Sequence, residues 1–110
     1  MELVTIELLR SHCRADSTDD PLLVVYGSTA EENAQAYLNR RVYPTADALA
    51  AAVLAGSAGD DPMVVTPAIR AAVLLIAGSL YRNREEGPDS RTLPVGAQAL
   101  LQPNRVGLGV

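Results

Sequence analysis

Thr66 to Glu86 reads T-P-A-I-R-A-A-V-L-L-I-A-G-S-L-Y-R-N-R-E-E. Thr66 suits a helix N-cap, because its hydroxyl can accept a hydrogen bond from a free amide of the first turn. Pro67 fits the first helical position, where its missing N–H is not needed. Gly87 and Pro88 predict the stop. Between these signals Ile69, Val73, Ile76 and Leu80 form one apolar stripe. Leu74, Ala77 and Tyr81 form another, with Ala72 and Leu75 filling between. A helix that is apolar almost all round must be covered on several sides. A chain of 110 residues has few helices to offer, so part of the cover is expected from sister subunits.

Working outward, Pro44 breaks the preceding pattern and Thr45 predicts a cap for a helix over Ala46 to Ala55. Leu49, Val53 and Ala52 are its core-facing candidates. Gly56 to Pro62 reads as a loop, and Met63 to Val65 as an extended lead into the long helix. Asp19 or Asp20 predicts the cap of another helix, with Pro21 just inside it and an end near Arg40. Its inward-reading positions Leu22, Val25, Tyr26, Thr29, Ala30, Ala34, Tyr37 and Leu38 keep helical spacing, and Gly27-Ser28 is a point of weakness or kinking. Thr5 caps a short first helix ending at Cys13, with Ile6, Leu9 and Cys13 inward. After Gly87 the chain reads as irregular, with one helical turn at Ala97 to Leu101 and an extended tail from Gln102 to Val110. No repeat is visible and no strand pairing is signalled. The expected fold is all-α: a small bundle of about four helices around a long central apolar helix, with an extended C-terminal tail. Residues 1–92 form the helical domain and 93–110 the extended segment.

The apolar fraction of 48% is ordinary for a folded protein. Aromatics are limited to Tyr26, Tyr37, Tyr43 and Tyr81, so the core must be aliphatic. All nine basic residues are Arg, which suits planar contacts with carboxylates, although a bias toward GC-rich codons gives the same pattern. The net charge of -4 and the lack of a basic stripe argue against sequence-specific duplex binding. A lone cysteine, Cys13, excludes an intrachain disulfide. No signal-peptide pattern opens the sequence. The apolar stretch Ala71 to Leu80 is far short of the roughly 20 residues that cross a bilayer. The expectation is a soluble protein that folds in a reducing cytoplasm, with no membrane contact.

The candidate chemistry is thin. His12 and Cys13 are sequence neighbours that point about 100° apart on a helix, and neither has the further ligands or base that a zinc site or a thiol nucleophile needs. Asp16, Asp19 and Asp20 resemble part of a calcium loop without its glycine and distal glutamate. Asp60-Asp61 reads as a solvated turn. Glu85-Glu86, flanked by Arg82 and Arg84, reads as an ion-pair cluster. Gly56, Gly59 and Gly87 lack the spacing of a phosphate loop. No catalytic, cofactor or metal residues are expected, and the profile is that of an assembly subunit.

Three stretches, in order, are similar to the phage head–tail connector (adaptor) family of the HK97 gp6-like type. The first is L-V-T-I-E-L-L-R-S-H-C-R-A-D, Leu3 to Asp16, followed by D-D-P-L-L, Asp19 to Leu23. The second is P-A-I-R-A-A-V-L-L-I-A-G-S-L-Y-R-N-R-E, Pro67 to Glu85, which resembles the family's long helix ending in Tyr81, Arg84 and Glu85. The third is L-P-V-G-A-Q-A-L-L-Q-P-N-R, Leu93 to Arg105, with its Leu-Pro, Leu-Leu and Pro-x-Arg elements. Residues 41–65 and the tail after Arg105 have no counterpart in the resemblance.

The resemblance implies a structural virion protein with no enzymatic activity. It implies a homo-oligomeric ring, twelve-fold, beneath the portal protein, which extends the DNA channel and offers a docking surface to a tail or stopper protein. DNA would pass without sequence-specific binding. Tyr81, Arg82, Arg84 and Glu85 would lie near subunit contacts. Leu93, Leu100, Leu101, Pro103 and Arg105 would reach the portal or a neighbour. The place of action would be the head–tail interface of the virion, after assembly in the host cytoplasm. The competing readings are another small virion completion protein and a small helical DNA-binding regulator.

Overall fold

Three threonines set three helix starts. The Thr5 hydroxyl accepts the Leu8 amide at 3.2 Å, that of Thr45 the Ala48 amide at 3.1 Å, and that of Thr66 the Ile69 amide at 3.2 Å. They open α1 (Ile6–Cys13), α3 (Ala46–Ala55) and α4 (Pro67–Arg82). Helix α2 spans Asp20–Leu38 and α5 spans Val95–Leu101. Arg14, Asn39 and Gly56 end α1, α2 and α3 in the left-handed conformation that terminates helices. The structure, a computed structural model, describes residues 1–83 and 93–107.

The all-α bundle is organised around α4. Helices α1, α2 and α5 all pack on it, and they bury Ile69, Ala72, Val73, Ile76, Ala77, Gly78 and Leu80. One subunit's own helices thus cover most of α4, while Leu74, Leu75 and Tyr81 stay half-buried. Leu9, Leu23, Leu38, Ile69 and Leu101 are completely buried, each stabilising by about 1.5–3 kcal/mol before entropy is subtracted.

Glycine explains how α1 comes so close. Helix α2 is continuous through Gly27, where a kink was expected. A Cβ at that position would stand 2.8 Å from Leu9 Cδ1 and crowd Met1 Sδ, so the bare backbone admits the first helix and the N-terminus. Gly78 does the same on α4, where a Cβ would stand 2.7 Å from His12 Nε2. His12 thus packs on the bare backbone of α4 at Gly78.

Two features differ from the sequence reading. First, β1 (Val42–Tyr43) and β2 (Met63–Val64) pair in parallel, with Val42 opposite Met63 and Tyr43 opposite Val64. The Met63 amide donates to Arg41 O at 3.0 Å and the Val65 amide to Tyr43 O at 2.8 Å. Strands of two residues are too short to show alternation, so the pairing left no periodic signal. Second, the helical turn read at Ala97 to Leu101 is longer than expected, and the residues just after it are not extended. Val95–Leu101 is a helix with Ala97 and Leu101 fully buried, followed by a 3-10 turn at Gln102–Asn104. The chain then lies along the end of α2, where the Val106 amide donates to Leu38 O at 2.9 Å and Asn39 Nδ2 to Val106 O at 3.0 Å. Buried leucines and these hydrogen bonds override the weak helix signal of a Pro- and Gly-containing segment.

Candidate assembly surfaces

The N-terminus is held by a buried carboxylate. Glu31 is 6% exposed. Its Oε1 accepts the Glu2 amide at 2.9 Å, and its Oε2 accepts those of Leu3 at 2.7 Å and Val4 at 3.1 Å. Arg70 Nε donates to Leu3 O at 3.1 Å. Beside this clamp runs a groove of about 850 Å³, lined by Glu2, Leu3, Glu31, Gln35, Arg41 and Tyr43 among others. Its polar groups are largely spent on the fold: Gln35 Oε1 accepts the Val42 amide at 3.0 Å, and the Tyr43 hydroxyl donates to Ala58 O at 3.3 Å.

The aspartates of the first turn region each have a separate task. Asp16 accepts from the Thr18 amide at 2.9 Å and from its hydroxyl, and these bonds hold its carboxyl below the usual range. Asp19 sits at the N-cap position of α2 yet makes no cap bond, which differs from the capping role read for it. Its Oδ2 instead accepts the Tyr81 hydroxyl at 2.6 Å. Asp20 pairs with Arg10: Arg10 Nε donates to Oδ1 at 2.8 Å, and Arg10 Nη2 donates to Oδ2. The hydrogen bond from Arg10 lowers the Asp20 pKa. Burial pushes the Cys13 thiol up, against a smaller pull downward from Arg82.

The candidate interface residues lie in three places. Tyr81 and Arg82 close α4, the first half-buried against Asp19 and the second exposed. Arg84 and Glu85 fall outside the described residues. Leu93 and Leu100 are half-buried against the core and Leu101 is inside it, so Leu101 supports the subunit from within. Pro103 and Arg105 are exposed beside the C-terminal end of α2. The Arg105 guanidinium lies 4.4 Å from the Tyr37 ring centroid, and its Nε donates to Tyr37 O at 2.9 Å. Tyr37 in turn donates to Gln102 Oε1 at 2.6 Å. The described residues therefore do not converge on a single patch.

Sequence reasoning missed the most exposed apolar element, α3. None of its ten residues is buried. Leu49 and Ala52 are half-buried against the two strands, but Val53 is 57% and Leu54 91% exposed. The expectation that Val53 faces the core is thus corrected. The signal was present in A-D-A-L-A-A-A-V-L-A, nine of whose ten residues are apolar, but such a run reads equally well as a core helix. On α5, Val95 is 82% exposed.

A family model for phage gp6-like head–tail connector proteins matches residues 4–105. No curated protein and no solved structure matches the chain. The match runs through 41–65, the region that had no counterpart in the resemblance, and so takes in α3 and both strands. It stands beside an all-α subunit with a self-sufficient core and no helix, among the described residues, long and apolar enough to cross a membrane. The chain belongs to the phage gp6-like head–tail connector family and is a structural component of the bacteriophage virion at the head–tail junction.

Proposed function

We propose that copies of this chain close into a ring, twelve-fold, beneath the portal. The ring extends the DNA channel, and its lower face receives a tail or stopper protein. Assembly takes place in the host cytoplasm. DNA passes through without sequence-specific contacts, in keeping with a net charge of -4. The subunit does no chemistry; its contribution is shape.

The observation that carries this reading is α3, an apolar helix with no buried residue on a subunit whose core is complete without it. Contiguous exposed apolar surface on a folded domain marks a binding site. A ring of identical subunits needs a head-to-tail contact that closes on itself. A contact of modest size, roughly 800 Å² per partner, leaves free subunits dispersed at low concentration and makes the portal the template for assembly. Among the described residues, Tyr81, Arg82, Leu93, Leu100, Pro103 and Arg105 supply further contacts to the portal or the adjacent subunit, with Arg84 and Glu85 beside them in sequence.

Electron microscopy of the protein mixed with the portal of the same phage tests the proposal. Rings seated on portal particles are expected. Bare portals at every mixing ratio would refute it.

A further inference from the structure

Residues 1–4 form a strap against α2 that is fastened in two ways. Glu31 takes the amides of Glu2, Leu3 and Val4. The second fastening is the Met1 thioether. A Cβ on Gly27 would overlap Met1 Sδ and would stand 2.8 Å from Leu9 Cδ1 and 3.5 Å from Met1 Cγ. The sulfur therefore rests on bare helix backbone beside Leu9. Gly27 and Glu31 are four residues apart on α2 and share one face, which sets the two fastenings side by side. A glycine inside a helix costs about 1 kcal/mol against alanine, and the seat for Met1 and Leu9 accounts for this one. Leu3 and Val4 are buried under the strap's own closure, and Leu9 is completely buried. Met1 itself is 38% exposed, so solutes in water reach it. The other methionine, Met63, is half-buried against the core.

We infer that Met1 is a redox-sensitive latch: oxidation of its thioether by a peroxide loosens residues 1–4 from α2. A lone pair of Sδ attacks one oxygen of hydrogen peroxide. The S–O bond forms as the O–O bond breaks, and the other oxygen leaves as water once it has taken up a proton. The sulfur is oxidised and the peroxide reduced. The product, a methionine sulfoxide, is polar where the thioether was apolar. Its oxygen accepts hydrogen bonds, yet its surroundings offer none. Leu9 presents a methyl group, the Gly27 amide is spent inside α2, and the neighbouring Glu31 carboxylate is itself an acceptor. A polar group held there without a donor is costly, so the sulfoxide turns out into water. The strap is then held by the Glu31 side of its fastening alone. Leu3, Val4 and Leu9 become open to solvent more often, and Glu2 and Leu3 leave the wall of the groove that they line.

The test is hydrogen exchange of the whole chain before and after treatment with hydrogen peroxide. It uses Met63→Leu, a volume-conserving change that leaves Met1 as the sole methionine. Mass spectrometry of the peptide carrying Met1 should show one added oxygen. The amides of Leu3 and Val4 should then exchange at least about tenfold faster, while those of α4 between Ala72 and Leu80 keep their protection. Methionine sulfoxide reductases should return both the mass and the slow exchange. If Met63→Leu folds poorly, the native sequence decides, because separate peptides report Met1 and Met63. Three results overturn the inference. Met1 gains its oxygen and the exchange of Leu3 and Val4 is unchanged. Met1 stays reduced under conditions that oxidise free methionine. Exchange speeds up but the reductases do not reverse it, which assigns the effect to another group such as Cys13.

Discussion

Glu31 and Leu3 hold each other across 28 positions of sequence: Glu31 Oε2 accepts the Leu3 amide at 2.7 Å, inside the protein. The same carboxylate takes the amides on either side, while Arg70 takes the Leu3 carbonyl. One buried side chain thus supplies the acceptors that a neighbouring strand would otherwise provide to an extended segment. Leu3 and Val4 are buried as a result. Truncating the acid removes the acceptor and leaves buried donors unpaired, which is the expensive direction for a hydrogen bond. Glu31→Ala should lower unfolding free energy by about 2–4 kcal/mol, and Glu31→Gln, which keeps one acceptor oxygen, should lose less. Urea unfolding followed by circular dichroism measures both, and equal stability of Glu31→Ala and the native protein would contradict the assigned role.

Two leucines of the same type should behave oppositely. Leu101 is completely buried and Leu54 is almost completely exposed. Leu101→Ala should cost about 2–5 kcal/mol through the cavity it leaves. Leu54→Gln should change monomer stability by no more than about 0.5 kcal/mol. Thermal melts at low protein concentration separate the two.

Acid should weaken the fold in part through Asp20. The Arg10 hydrogen bond holds the Asp20 carboxyl below its value of 3.8 in the unfolded chain, and the Thr18 bonds do the same for Asp16. In acid the unfolded chain then binds more protons than the folded one, so stability is full above the unfolded pKa and falls as pH drops through the folded pKa. Unfolding midpoints measured from pH 6 down to pH 2 should decline below about pH 4. Asp20→Asn should make that decline shallower, and an unchanged slope would remove Asp20 from the account.

Helix α3 should open on its own. It touches β1 and β2, buries no residue, and is tied down near its end by the Tyr43 hydroxyl on Ala58 O. Amides of α3 are expected to exchange with deuterium at least about tenfold faster than those of α4 between Ala72 and Leu80. Tyr43→Phe should widen the gap. Equal protection in the two helices would show α3 to be a full member of the bundle.

The helix starts were readable because their causes are local. A threonine three residues before the amide it accepts, or a proline in the first turn, acts within one turn of chain. The connector family was readable from three short stretches, Leu3 to Leu23, Pro67 to Glu85 and Leu93 to Arg105, for the same reason: the order of short local elements survives in sequence. The clamp at Glu31 was not, since nothing local marks a carboxylate that will meet backbone 28 residues earlier. Gly27 looked like a weakness because its helix cost is local, while its benefit, the close passage of Leu9 and Met1, arises only on packing. The exposure of α3 was hidden by composition: Val53 and Leu54 are the right residues for a core, and only the placement of β1 and β2 turns them outward.

The pairing of β1 with β2 gives α3 a particular freedom. Neighbouring strands lie about 4.8 Å apart, so the chain leaves the bundle after Tyr43 and re-enters it at Met63 through adjoining doors. Everything between those residues is a cassette whose length and surface can be exchanged while its two anchor points stay fixed. A connector built this way can be refitted to a different neighbour by replacing one removable module, with no rewriting of the bundle beneath.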